Sequence, residues 1–338
     1  MGQKIKLSVL DQSPINKNKT ASEALSETTR LAELTDRLGY TRFWVSEHHN
    51  SPTLAGSTPE ILIAHLANHT QRMRIGSGGI MLPNHSTLKA AESFRLLEAL
   101  YPNRIDMGIG RAPGTDRFTA SILNPSNRFS EEDFIQQLYD LDDFLHDSDS
   151  SNSISKKVKA IPLTETIPHK WLLTSSGESA LIAAHFGLGL SYAQFINPYV
   201  AANIIEGYRR SFKPSHDLAE PQANVAIFAF CNEDEEIVKR QQALMDYRFI
   251  QLERGGNLAA VTYEDIVAMP YSDFERQRIQ YNRGRTLMGT PDVMKEKLTA
   301  LAESYNIDEI MLVTYAERLE DRLHSYEILA DLFELDRK

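Results

Sequence analysis

The sequence is expected to form an α/β fold, a (β/α)8 barrel of the TIM type with extra helices near its C-terminal mouth. Three observations carry that expectation. Short β-branched runs alternate with longer amphipathic stretches along all 338 residues, which is the mark of βα units in a parallel sheet. The strands so read number eight, the count that closes such a barrel. The last of them falls near the end of the chain with one closing helix after it, whereas an open doubly wound sheet would share only the alternation.

The elements follow in order. The strands begin with "IKLSVL", "RFWVS", "RIGSGGIML" and "RIDMGIG", and continue with "KWLLTS", "GLSYAQF", "QANVAIFAF" and "DEIMLVT". Between them, amphipathic periodicity places helices at Ala21–Leu38, Pro59–Thr70, Leu88–Leu100, Glu131–Leu145, Glu178–Phe186, Pro198–Phe212 and Pro291–Ser304, and a terminal helix at Arg318–Phe333. Two segments break the rhythm. "HDSDSSNSISKK" is polar and low in complexity and reads as an exposed loop. Cys231–Arg285 is helical in pattern and longer than one crossover needs, so it is expected to add helices beside the barrel mouth. No linker divides the chain, and residues 1–338 are expected to form one domain.

Composition narrows the function. The net charge is -10 and no Lys/Arg run forms a stripe, which argues against nucleic acid or an anionic membrane as partner and leaves a small molecule. One cysteine, Cys231, excludes an internal disulfide framework and a Cys-rich metal site and suits a reducing compartment, so a cytoplasmic location is expected. "MGQKIKLSVL" has too short an apolar part for a secretory signal, and no apolar run approaches the ~18 residues of a membrane span.

In a barrel, the residues just after each strand share one rim, where active sites are built. The run "WVSEHHN" drops Glu47, His48 and His49 there after strand two. Gly78-Gly79 and then Pro83, Asn84 and His85 belong to strand three, and Gly110-Arg111 to strand four. After strand five, "TSSGESALIAA" ends a strand, supplies Ser175, Ser176, Gly177 and Ser179, and begins a helix at once. Free N–H groups and the positive end of the helix dipole make such a start a phosphate cradle, although serine is also an ordinary N-cap. Arg111 is a candidate phosphate clamp because guanidinium gives a bidentate, permanently charged contact, a surface salt bridge being its plain alternative.

Other patterns fail. "GIGRAPGTD" has the wrong glycine spacing and an internal proline for a dinucleotide fingerprint. His65 and His69 have the i, i+4 spacing of zinc ligands, but Leu66 stands where the glutamate should be, and no metal site is expected.

With these strand ends collected, the chain resembles the bacterial luciferase-like, flavin-dependent monooxygenases, in particular single-chain members similar to the luciferase alpha chain. The resemblance rests on "RFWVSEHH", "RIGSGGIMLPNHSTLKAAESFRLLEALYPNRIDMGIGRAPGTD", "LLTSSGESALIAAHFGLGLSYA" and "LMGTPDVM", in that order. It implies a barrel and a homodimer. It also implies reduced FMN supplied by a separate NAD(P)H-dependent flavin reductase, and oxygen used to oxygenate a small organic substrate such as an aldehyde or another carbonyl compound. Residue by residue, it makes Glu47 and His48 a pair beside the flavin with His48 catalytic, and Gly78-Gly79 a flavin-contacting pair joined by a non-prolyl cis peptide. Arg111 and Arg128 become phosphate arginines and Ser176 and Ser179 phosphate-binding hydroxyls, and Ser191 a flavin contact at the end of strand six. If His48 faces the cavity, its neighbour His49 is expected to point away and Glu47 to orient the site. Two departures stand out: Gly110 replaces the reactive cysteine of luciferase alpha chains, so nothing supports light emission, and "YAQF" stands where related sequences often carry histidines. Two other readings stay open, a non-catalytic flavin-binding protein and a deazaflavin-dependent oxidoreductase.

Overall fold

The computed structural model describes residues 4–148, 153–255 and 259–337. A parallel barrel is built from β1 (Lys6–Asp11), β2 (Arg42–Val45), β3 (Arg74–Met81), β4 (Ile105–Gly110), β5 (His169–Thr174), β6 (Gly189–Ala193), β7 (Ala223–Cys231) and β9 (Glu309–Val313). Each strand pairs in parallel with the next, and β9 returns to β1, so the eight expected strands close as a (β/α)8 barrel.

One strand was not expected. β8 (Thr286–Gly289) pairs in parallel with the upper half of β7. Phe228 pairs with Val313 of β9 on one side and with Thr286 of β8 on the other, so β8 continues past the end of β6, whose pairing stops at Ala226. It satisfies the backbone of a nine-residue β7 that outruns its five-residue neighbour. Four residues, "TLMG", are too few to show a period.

The helices are α1 (Ala21–Leu38), α2 (Pro59–His69), α3 (Thr87–Leu100), α4 (Arg117–Leu123), α5 (Glu131–His146), α6 (Gly177–Phe186), α7 (Ala201–Ser211), α8 (Glu235–Glu253), α9 (Tyr263–Ile266), α10 (Asp273–Asn282), α11 (Pro291–Tyr305) and α12 (Leu319–Leu332). Local chemistry sets several ends: Thr20 and Glu23 form a capping box on α1, and Gly39 closes that helix at φ 89°. α8, α9 and α10 fill the long stretch after Cys231, as expected. α4 was not expected, and α7 starts at Ala201 rather than Pro198. Of the polar segment after α5, residues 149–152 lie outside the described ones, and Ile154–Lys156 is a 3-10 turn. No described helix is long and apolar enough to cross a membrane.

Alternation along the strands divides the core in two. Leu7, Val9, Phe43, Ile75, Ile109, Leu190, Ile227 and Leu312 pack between barrel and helices, whereas Leu10, Trp44, Trp171, Ala226, Phe228 and Met311 fill the barrel itself. At the floor, Arg42 grips Glu309 with Nε at 2.6 Å and NH2 at 3.0 Å and reaches Asp106 with NH1 at 2.7 Å. Burial opposes the charge on Asp106, but Arg42 and Arg74 outweigh it and hold that carboxyl below the usual carboxylate range. An interior this full of aromatic rings needs glycine opposite them: a Cβ at Gly78 would lie 2.6 Å from Leu10 Cδ1 and 3.0 Å from Trp44 Cβ.

Candidate active site at the C-terminal rim

The segment after β2 is held by its own fold-back onto Gly56 and by the loop after β4. His48 N–H donates to the Gly56 carbonyl at 2.9 Å, and the Thr115 hydroxyl donates to the His49 carbonyl at 3.1 Å. Gly114 has φ +64°, and a Cβ there would lie 2.7 Å from the Glu47 carbonyl oxygen, so the left-handed turn and the close approach both require glycine. "GIGRAPGTD" is therefore a clasp on the Glu47–His49 segment.

Glu47 is the hub. It is fully buried, and its carboxylate accepts from the Met81 N–H at 2.7 Å and from Asn84 Nδ2 at 3.0 Å, while His49 Nε2 lies at 2.9 Å and His85 Nε2 at 3.0 Å. Burial would raise its pKa, but the hydrogen bonds from His85, Asn84 and His49 outweigh that and hold the carboxyl below the ordinary glutamate value. Burial likewise works against a charged His85, and the Glu47 carboxylate overcomes it and raises that imidazole. Glu47 thus ties the segment after β2 to that after β3, and His49 turns onto Glu47 while its neighbour His48 makes a different set of bonds.

His48 belongs to a hydrogen-bonded chain that fixes its tautomer. Arg248 NH2 donates to the Tyr315 hydroxyl at 3.3 Å, and that hydroxyl donates to Gln12 Oε1. Gln12 therefore presents its NH2 to His48 Nε2, 3.2 Å away, and Nε2 must be the acceptor. The ring proton is left on Nδ1, which faces the Gly114 carbonyl at 3.3 Å. Burial, chiefly, lowers the His48 pKa; the Gly114 carbonyl opposes this and the charge of Arg248 adds to it. Gln12 and Tyr315 follow β1 and β9, so reading every strand end would have found them, as would Arg248 only with the path of α8 known.

On the neighbouring rim the two arginine candidates come together, whereas Ser175, Ser176, Gly177 and Ser179 do not line the cavity they share. Arg111 and Arg128 line one cavity of about 740 Å3 together with Asn127, Ser130, Glu131 and Glu178. Arg111 is ion-paired to Glu178 at 2.8 Å and lies 3.7 Å from Glu131, whereas Arg128 makes no ion pair among the described residues. Hydrogen bonding to Arg111 lowers the Glu178 pKa, and the facing Glu178 carboxylate raises that of Glu131. Sequence reasoning missed both acids. Ser176 occupies the N-cap position of α6 but makes no capping bond, so the ordinary N-cap alternative does not describe it. Its N–H is bonded to Thr174 Oγ1 at 2.9 Å, whereas the hydroxyls of Ser175 and Ser179 have no hydrogen-bond partner among the described residues. A Cβ on Gly177 would meet only Ile204, at 3.9 Å, so packing does not demand glycine there.

The other candidates lie deeper. The Gly78-Gly79 peptide is cis, in the β3 stretch where the register with β4 shifts. Ser191 is buried in the middle of β6, between Leu173 and Asn224, rather than at the strand's end. His65 and His69 sit on the surface of α2 with Thr29 and Glu33 of α1 as partners. Away from the rim, His146, His216 and Asp217 approach one another, but Lys170 Nζ already occupies that cluster, 2.8 Å from Asp217.

A parallel barrel whose strand ends bring a buried Glu-His constellation beside a cavity lined by two arginines has the form of a TIM-barrel enzyme, and similarity to known proteins gives the family. The model of the luciferase-like monooxygenase family matches residues 5–306, and the chain belongs to that family of oxygenating enzymes. Among its relatives in Bacillus subtilis (strain 168) are the uncharacterized protein YwcH, 44% identical over 97% of this chain and 99% of its own, and an N-acetyl-S-alkylcysteine monooxygenase, 34% identical over 97% and 98%. The crystal structure of apo-MsnO8 superposes with a TM-score of 0.91 at 35% identity, covering 99% of this chain and 100% of that one. Two more distant structures share the fold. One is the oxygenating constituent of 3,6-diketocamphane monooxygenase with FMN, 16% identical over 97% of each chain at TM-score 0.71. The other is an F420-dependent secondary alcohol dehydrogenase, 13% identical over 99% and 100% at TM-score 0.70.

Proposed function

We propose that the protein is a two-component monooxygenase that takes reduced FMN from a separate NAD(P)H-dependent flavin reductase and uses oxygen to oxygenate a small organic substrate, an aldehyde or another carbonyl compound among them. The observation that carries the choice of FMN is the cradle: two arginines on one cavity, Glu178 of α6 on its wall, and beside it a helix start where the hydroxyls of Ser175 and Ser179 have no partner among the described residues. A phosphate monoester fits that donor set, with Arg111 and Arg128 supplying charge and α6 supplying N–H groups. The isoalloxazine would lie toward Gly78-Gly79 and Ser191.

Reduced FMN would supply the electrons that activate oxygen. Glu47 holds the rim segment in place, and His48 takes or returns a proton at Nε2, the nitrogen approached by the Gln12 amide. The residues act within one domain, 1–338, in the cytoplasm. Exposed Ile61 on α2 and Leu96 and Leu100 on α3 support a homodimer. The test is mass-spectrometric detection of 18O in products when the protein, a flavin reductase, NADH, FMN and 18O2 are given a panel of small organic compounds. Labelled product is expected. Flavin binding with no labelled product from any compound supports a non-catalytic flavin carrier, and activity with reduced F420 alone supports the deazaflavin oxidoreductase.

A further inference from the structure

An unpaired positive charge sits at the mouth of this barrel. Arg248, on α8, is half-buried and forms no ion pair with any described residue, in a chain whose net charge is -10. Its guanidinium stacks over the Tyr315 ring at 4.3 Å. Among the described residues only one of its nitrogens has a hydrogen-bond partner, the Tyr315 hydroxyl at 3.3 Å. Arg285 repeats the arrangement: it stacks over Phe249 at 5.3 Å, and its Nε is buried without a partner. The two rings flank Phe228, with centroids 5.4 Å (Tyr315) and 5.8 Å (Phe249) away, so both cations cap one aromatic cluster above the barrel interior.

Arg248 and Tyr315 also line a cavity of about 70 Å3, walled by Ile15, Leu244, Met245 and Ala316. That space admits a functional group of a few heavy atoms. It opens toward a shallow depression of about 390 Å3 that shares Ile15, Asn16 and Thr53. One acid, Glu317, also lines the cavity; its carboxylate accepts from the Tyr263 N–H at 3.3 Å and does not pair with Arg248. From the cavity wall, Tyr315 reaches His48 through Gln12 alone.

We propose that Arg248 is an anion receptor that takes the carboxylate of an organic-acid substrate, setting its aliphatic part against Ile15, Leu244 and Met245. Stacking fixes the guanidinium plane and leaves its other N–H groups for a planar, bidentate acceptor. Desolvating a guanidinium without an ion pair is costly, and a bound carboxylate removes that cost. The inference rests on the reading of the rim as a substrate site and narrows it: the oxygenated molecule carries a negative group held apart from the reacting carbon.

Isothermal titration calorimetry on the full-length protein, with and without FMN, compares hexanoate with its uncharged twin hexanamide. Hexanoate is expected to bind about tenfold or more tightly than hexanamide. Arg248→Gln is expected to abolish that preference, Arg248→Lys to keep part of it, and both variants to bind FMN as the parent does. Equal binding of the two ligands, absence of saturable hexanoate binding in either state, or a preference that survives Arg248→Gln overturns the proposal. So does a loss of FMN affinity in Arg248→Gln with hexanoate unaffected, which would make Arg248 a cofactor contact. Because no step needs oxygen or turnover, a negative result leaves the monooxygenase reading standing, and failure of oxygenation leaves the carboxylate site standing.

Discussion

At the scale of single residues the rim is a set of polar atoms with assigned directions. His48 carries its proton on Nδ1 because Tyr315 commits Gln12 Oε1 and turns the Gln12 amide toward Nε2. Tyr315→Phe removes that anchor, and 15N NMR of histidine-labelled protein is expected to show mixed tautomers at His48, whereas one unchanged tautomer would mean the chain does not set it. His48→Ala is expected to lower oxygenation about 10²–10⁴-fold with the fold retained, and His49→Ala to cost far less. The pH dependence has a definite sign. The folded-state pKa of His48 lies below the ordinary 6.5, so between the two values the unfolded chain binds more protons than the native one. His48 therefore contributes a loss of stability as pH falls through 6.5, a limb that His48→Gln should flatten in urea titrations at a series of pH values. At the cradle, Glu178 occupies Arg111 in a partly exposed pair. Glu178→Gln frees that guanidinium, and FMN affinity is expected to rise about two- to fivefold by calorimetry.

Elements place these residues, and here the sequence could be read unevenly. Alternation exposed the eight barrel strands because their outward residues are apolar all round, and the capped amphipathic α1 and α11 were equally plain. β8 escaped because four residues have no period and its role is to cover β7. The strand-end rule points to Glu47, His48 and Arg111, whereas Gln12 and Tyr315, which also follow strands, are uncharged and carry no motif that singles them out. Ser191 was set too high on its strand, since register is decided by pairing with β5 and β7. Arg248 and Glu178 were beyond reach: one needs the path of the inserted α8, the other the meeting of α6 with the β4 loop. The resemblance assigns the β3 glycines to the flavin, whereas the packing at Gly78 gives a cause of its own, the filling of the barrel. Gly78→Ala drives a methyl group into Leu10 and Trp44 and is expected to cost about 1–3 kcal/mol in urea denaturation. Unchanged stability would show that the interior gives way.

For the whole molecule, the candidate chemistry lies at one end of the barrel and a closed network of buried charge at the other. Arg42, Asp106 and Glu309 close the floor, and removing Glu309 would leave Arg42 buried with half its partners, so Glu309→Ala is expected to destabilise by about 3–5 kcal/mol without a specific effect on flavin affinity. The rim, by contrast, keeps cations uncommitted within an acidic protein: Arg128 at the cradle, and Arg248 and Arg285 over the aromatic cluster. On the proposed reading, the floor holds the barrel while the mouth binds anions, and the β4–α6 side of the mouth recognises the phosphate of FMN. The most direct test of that recognition is the affinity of FMN against riboflavin, measured by fluorescence quenching for the parent and for Arg111→Ala. FMN should bind the parent about tenfold or more tightly than riboflavin does, and Arg111→Ala should remove most of that advantage with riboflavin affinity unchanged. Equal affinity of the parent for the two flavins, or equal losses of both in the variant, would contradict the account.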